Sequence, residues 1–343
     1  MSQSIGYKRD CCLDIMKGIG ILLVVFAHIF HNNGIVYQFH MPLFFILSGA
    51  AMTYSKSGFS LKKKAKTLLV PYFMFSLICF GYWALIESKF RPMHNAAIFG
   101  DSLGFGVKMQ QFANIFTAIN CRSAFVYNIV LWFLPCLFMA ELAYSKTKGT
   151  KAEWVIDVLC IGICYLIVSG SNGWPWCLGE AAVAIPLLSI GNKFYQPLMT
   201  VLKKRTTYSA IIGGVCLLAF TLLFLLLNPH TDMAHNIIPK EFYIMAILGS
   251  LCVIVLSLEI DRFSIRGGQH LAYLGQNSLI IMCVHEPLKR ILLMVLSKVV
   301  SMPTDAIRDE LVMSVISTLL VVAICIPIIE IVNRKISWII GKF

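Results

Sequence analysis

The chain has 343 residues, of which 58% are hydrophobic and only 13% charged, with a mean hydropathy of +0.78. A soluble domain carries about a quarter charged residues, so this composition excludes a soluble globular protein. The net charge of +12 comes from bases scattered over short segments between apolar runs, which reads as a topology signal and argues against a nucleic-acid surface.

Apolar runs of about 18–21 residues recur along the whole chain, the length needed to cross about 30 Å of hydrocarbon. They place membrane spans at 11–30, 39–55, 68–87, 125–145, 153–170, 176–195, 207–227, 242–260, 271–288 and 311–332. The expected fold is therefore all-α, a polytopic bundle of about ten transmembrane helices. A strand barrel would need short alternating segments. Residues 1–343 read as one membrane domain with no appended soluble domain, and no internal repeat is visible.

The first run, CCLDIMKGIGILLVVFAHIF, holds Lys17 and His28 in a segment that is otherwise almost all hydrocarbon. It is long enough to span and lacks a small-residue cleavage pattern, so it reads as a retained start-transfer helix. A cation at the centre of a membrane helix costs about 2.5–3.5 kcal/mol on insertion scales, so such residues need a partner or a task. Eleven residues at 1.5 Å rise separate Lys17 and His28 by about 16 Å, roughly half a bilayer.

The second span opens with QFHMPLFFILSGAAM. Pro42 is accommodated in a first turn, His40 lies at the boundary near His28, and Ser48 with Gly49 permits close helix approach. A lysine-rich segment, KSGFSLKKKAK, precedes LLVPYFMFS of the third span. The connection 88–124 is long enough to read as a lid or binding loop. The fourth span contains LWFLPCLFMAEL, with Trp132 and Glu141, the latter expected to meet a basic loop. The loop 228–241 carries His230 and His235, and the ninth span, LAYLGQNSLIIMCVHEPL, carries Asn277, His285 and Glu286. After it, KRILLMVLSKVV within 289–310 reads as an amphipathic helix lying along the outer interface.

With the N-terminus inside, nineteen Lys and Arg fall on the inner side, nine outside and Lys17 within the membrane. Both termini are therefore expected to be cytoplasmic. The twelve cysteines mostly lie in spans as small hydrophobes, and the absence of a C-x-x-C pair argues against zinc. Cys121 and Cys177 fall on the same outer side and are the one candidate disulfide. No glycine-rich phosphate loop is present, which argues against ATP use.

The Lys17-x10-His28 pair is similar to the R/K-x10-H motif in the first helix of acyltransferase family 3. FHMPLFFILSG, LVPY, LWFL and LGQNSLIIMCVH resemble further blocks of that family, in the same order and over essentially the whole chain. Two departures stand out: lysine replaces the commoner arginine at position 17, losing its bidentate fork, and the fused esterase-like domain of some relatives is lacking.

The resemblance implies an integral-membrane O-acyltransferase, an O-acetyltransferase, of the bacterial inner membrane. It would move acetyl from cytoplasmic acetyl-CoA to a hydroxyl of a glycan or lipid-linked sugar at the outer face, with no metal. His28 would be the general base, and Lys17 would meet a donor phosphate or the charge developing at the thioester. The alternative for Lys17 is an ion pair with Asp14. His40 and His285 would line the outer mouth, while Glu286 either orients an imidazole or faces water. Trp132 would stack on sugar or adenine, or anchor at the interface. Ser48 and Asn277 complete the donor- or acceptor-binding candidates, with small-residue packing as the alternative. Two other readings stay open on the residues alone: a transporter or flippase with a polar path, which broken helices would favour, and a non-catalytic scaffold.

Overall fold

The computed structural model describes residues 10–54, 59–90, 104–120, 124–167, 173–229, 231–234, 237, 239–263 and 266–342. These residues are 85% helical, with no strand among them. The longer helices are α1 (Cys11–Ile29), α2 (His40–Thr53), α3 (Leu61–Glu87), α4 (Phe105–Thr117), α5 (Phe133–Thr147), α6 (Glu153–Ile167) and α7 (Leu178–Lys204). They are followed by α8 (Thr206–Leu227), α9 (Pro239–Arg262), α10 (Arg266–Gln276), α11 (Ser278–Val299), the short α12 (Thr304–Asp309) and α13 (Leu311–Lys335). One-turn helices at Gly34–Tyr37 and Ile129–Trp132 lead into α2 and α5.

Seven segments among the described residues are long and apolar enough to cross a membrane: α1, Gly34–Thr53, α3, Ile129–Thr147, α8, Glu241–Arg262 and α13. The other three expected spans depart from that pattern for visible reasons. α6 has 15 described residues, and α7 carries charges and two internal prolines, Pro186 and Pro197. The expected span 271–288 is not one helix: it breaks at Asn277, between α10 and α11.

Local chemistry sets the helix ends. Asp10 caps α1 by accepting a hydrogen bond from the Cys12 amide at 3.1 Å, and the chain turns extended at Phe30. Ser60 caps α3 in the same way, and two π turns, Ala65–Leu69 and Trp83–Glu87, interrupt its length. The connection 88–124 holds α4, whose face buries Gln111, Asn114 and Ile115. Residues 91–103 and 121–123, His230 and His235 lie outside the described residues, and so does the candidate Cys121–Cys177 bridge.

Within a bilayer the solvent offers no hydrophobic drive between helices, so close backbone approach carries much of the packing. α1 is the central element, touching α2, α9, α10, α11 and α13. A Cβ on Gly18 would lie 2.0 Å from the Leu271 carbonyl oxygen, and one on Gly275 would lie 1.8 Å from that of Asp14. α2 and α7 repeat the device through Gly49 against Leu188 and Gly191 against Ile46. Most of α8, by contrast, exposes its leucines, as a lipid-facing helix does.

Candidate active site

The last turn of α1, the first turn of α2 and the second turn of α11 meet at one end of the bundle. They bring His28, His40 and His285 together, with ring centroids 6.4 Å apart for His28–His40 and 5.5 Å for His28–His285. Tyr37, from the one-turn helix before α2, packs edge-on against His40 at 5.0 Å and against His28 at 6.2 Å.

Backbone carbonyls fix two of the three imidazoles. His40 Nδ1 donates to the Val36 carbonyl at 2.9 Å, and His285 Nδ1 donates to that of Ile281 at 3.0 Å. A carbonyl can only accept, so each Nδ1 carries the proton and each Nε2 is the basic nitrogen of the neutral ring. His285 Nε2 is buried without a hydrogen-bond partner among the described residues. An orphaned buried acceptor of this kind can take a hydrogen bond from a bound hydroxyl.

His28 is half-buried and stands between two cavities. The larger, about 670 Å³, is lined by His28, Tyr37, Val126, Glu286, Lys289 and Arg308 among others. The smaller, about 120 Å³, lies against His28, Tyr37, His40, Met41, Trp132 and Asp232. His28 and Tyr37 border both, so a group held in either cavity can reach the same imidazole.

Below the histidines, α11 contributes Glu286, Lys289 and Arg290 at the i, i+3, i+4 spacing that places them on one face. Lys289 Nζ donates to both Glu286 oxygens at 2.8 Å, Arg290 Nε donates to Glu286 at 3.1 Å, and Arg290 also pairs with Glu87 of α3 at 3.1 Å. Arg290 donates as well to the Val126 carbonyl at 2.9 Å. Two carboxylates and two cations therefore neutralise one another out of water, the condition under which buried charge is tolerated. This overturns the expectation of an interfacial amphipathic helix in 289–310. α11 runs unbroken through Val299, and its first bases are buried inward rather than set on a polar face. Glu286, with 3% of its surface exposed, does not face water.

Of the remaining predicted residues, Trp132 is buried against the smaller cavity. Lys17 is half-buried on α1 and borders neither cavity, about 16 Å from His28 by helical rise. Ser48 donates to buried Glu141 at 2.5 Å, and Lys64, from the lysine-rich segment, binds the same carboxylate at 2.7 Å, as expected for Glu141. Asn277 lies at the helix break, donating to the Tyr273 carbonyl and accepting from Asn333 at 2.8 Å. Tyr37, Glu87, Lys289 and Arg290 were missed by sequence reasoning. Only the 286/289/290 spacing directly after His285 carried a signal for them.

Among the described residues no group of three or more His, Cys, Asp or Glu is arranged to hold a metal ion. What the site offers is three clustered imidazoles, two of them with Nε2 left to accept, beside a cavity wide enough for an organic acceptor. That arrangement suits removal of a proton from a hydroxyl.

A family model described as an acyltransferase domain matches residues 12–330, nearly the whole chain. The chain belongs to acyltransferase family 3. It is a multi-pass membrane acyltransferase, and the matched span includes every residue of the histidine cluster and its ionic network. No curated protein and no solved structure matches the chain. Membership in an acyltransferase family also displaces the transporter and scaffold readings, although the α10–α11 break is of the kind a transporter would use.

Proposed function

We propose that this acyltransferase is an O-acetyltransferase that carries acetyl from cytoplasmic acetyl-CoA to a hydroxyl of a glycan or lipid-linked sugar at the outer face of the bacterial inner membrane. The observation that carries the reading is His28 itself: an imidazole between two cavities, 5.5 Å from the ring of His285, whose Nε2 has no hydrogen-bond partner among the described residues. In this reading the acceptor occupies the larger cavity and the acyl group reaches the smaller one, with both termini of the chain cytoplasmic and one membrane domain over 1–343.

His28 takes the proton of the acceptor hydroxyl as its oxygen attacks the thioester carbonyl carbon. The tetrahedral intermediate collapses, the C–S bond breaks, and coenzyme A leaves as a thiolate that recovers the proton from His28. His40 and His285 orient the acceptor by accepting hydrogen bonds from its hydroxyls at Nε2, and Trp132 closes the acyl side. Lys17, toward the cytoplasmic end of α1, meets an anionic part of the donor. Ser48 and Asn277 act at most through packing in this scheme, because each is engaged in a hydrogen-bonded cluster of its own.

Acetyl-CoA binding and turnover by the purified protein test this directly, with wild type beside His28→Ala and Lys17→Ala. The expected pattern is binding without turnover for His28→Ala and weakened binding for Lys17→Ala. A well-folded wild type that does not bind acetyl-CoA would sink the donor assignment.

A further inference from the structure

α1 ends without a glycine cap, and the carbonyls of its last turn are taken by side chains from elsewhere. The last four carbonyls of a helix have no partner within it and form the negative end of its dipole, so cations and amide donors are favoured there. Asn33 Nδ2 donates to the carbonyls of Ala27 and Phe30. Lys289 Nζ donates to the His28 carbonyl at 3.2 Å, and Arg308 Nε donates to that of Ile29 at 3.0 Å. A second Arg308 nitrogen lies 3.5 Å from the His28 carbonyl. The His31 amide returns a hydrogen bond to the Arg308 carbonyl at 3.0 Å, and His31 Nδ1 lies 2.9 Å from Asp309.

The residue whose backbone is gripped is the proposed base. Lys289 is itself fixed by Glu286, the neighbour of His285. Two turns of α11 therefore hold the His28 main chain and the His285 ring at once, and α12 closes over the same carbonyls.

We infer that Lys289 and Arg308 are positioning residues that lock the end of α1 and so set the His28 imidazole against His285 and the two cavities. The inference rests on the reading of His28 as general base. Loss of the grip lets the last turn of α1 fray. A misplacement of about 1 Å at a reacting group can cost about a hundredfold in rate. Neither cation needs to touch substrate for this to operate.

The test uses the full chain in detergent micelles, with acetyl-CoA turnover and amide hydrogen exchange measured on the same samples. Lys289→Met is expected to lower kcat about 10–100-fold while the KM for acetyl-CoA stays near wild type. It should also speed exchange of the Phe30 and His31 amides. Lys289→Arg restores a donor to the carbonyl and is expected to recover most of both losses. Should Lys289→Met not fold, Arg308→Gln, at a more exposed position, carries the same pair of measurements. Unchanged exchange would overturn the clamp whatever turnover does. Faster exchange with kcat unchanged, or a rise in KM alone, would overturn its positioning role. Wild-type turnover by His28→Ala would overturn the base reading and the positioning role with it, while exchange in Lys289→Met would still decide whether the clamp exists.

Discussion

The two ends of α1 are built by opposite means. Around Lys17 the helix meets α10 backbone to backbone, with Gly18 against Leu271 and Gly275 against Asp14, and Gln276 donating to Asp14 at 3.0 Å. Around His28 the neighbours stand off, and the space between holds cavities of about 670 and 120 Å³ crossed by long charged and aromatic side chains. Glycine packing closes the α1–α10 seam at one end. Side-chain bracing holds the other end open and still fixes the helix. A membrane helix can thus be anchored rigidly at a site that must remain accessible, provided every buried charge it recruits finds a partner.

Substitutions that separate stability from turnover would break or sharpen this contrast. The largest effect is expected for His28→Ala: acetyl-CoA turnover falls about a thousandfold, within the range for losing a general base, while the melting temperature stays near wild type. A large drop in melting temperature would show that His28 is mainly structural. Glu286→Gln leaves Lys289 and Arg290 buried with half their counter-charge, and should cost about 4 kcal/mol of stability, measured by denaturation in mixed micelles. Gly275→Val places methyl groups in the α1–α10 seam. We expect a loss of about 3 kcal/mol, with residual turnover per folded molecule close to wild type. Tyr54→Phe removes the hydrogen bond from the Tyr54 hydroxyl to Asp10 at 2.7 Å near the Lys17 end. Its cost should be about 1 kcal/mol, with no change in kcat.

The three histidines of the candidate site were legible in the sequence as candidates. Lys17 and His28 announced themselves because ionisable groups stand out in hydrocarbon, and His40 and His285 by their nearness to the same boundary. What stayed hidden depended on rotation and on helix breaks. Lys289 and Arg290 look like the polar stripe of an amphipathic segment, since sequence periodicity gives a face but not what that face meets. Glu87 lies in a π turn of α3, two hundred residues before the arginine it pairs with, and nothing local marks it. Ser48 and Asn277 sit within recognisable blocks, yet their hydrogen bonds run to Glu141 and Asn333, away from the histidines.

The all-helical membrane class, the family and the histidine in the first span were legible in the amino-acid sequence. The class follows from composition and run length, His28 from its place in an apolar run, and the family from motifs that resemble those of known members, all of them read along the chain. Tertiary structure alone decided that His28 lies between two cavities, that the ninth apolar segment breaks at Asn277, and that Lys289 and Arg308 close the end of α1. Such features arise where segments distant in the chain must satisfy one another's carbonyls and charges without water, and that requirement is set by the packing partner.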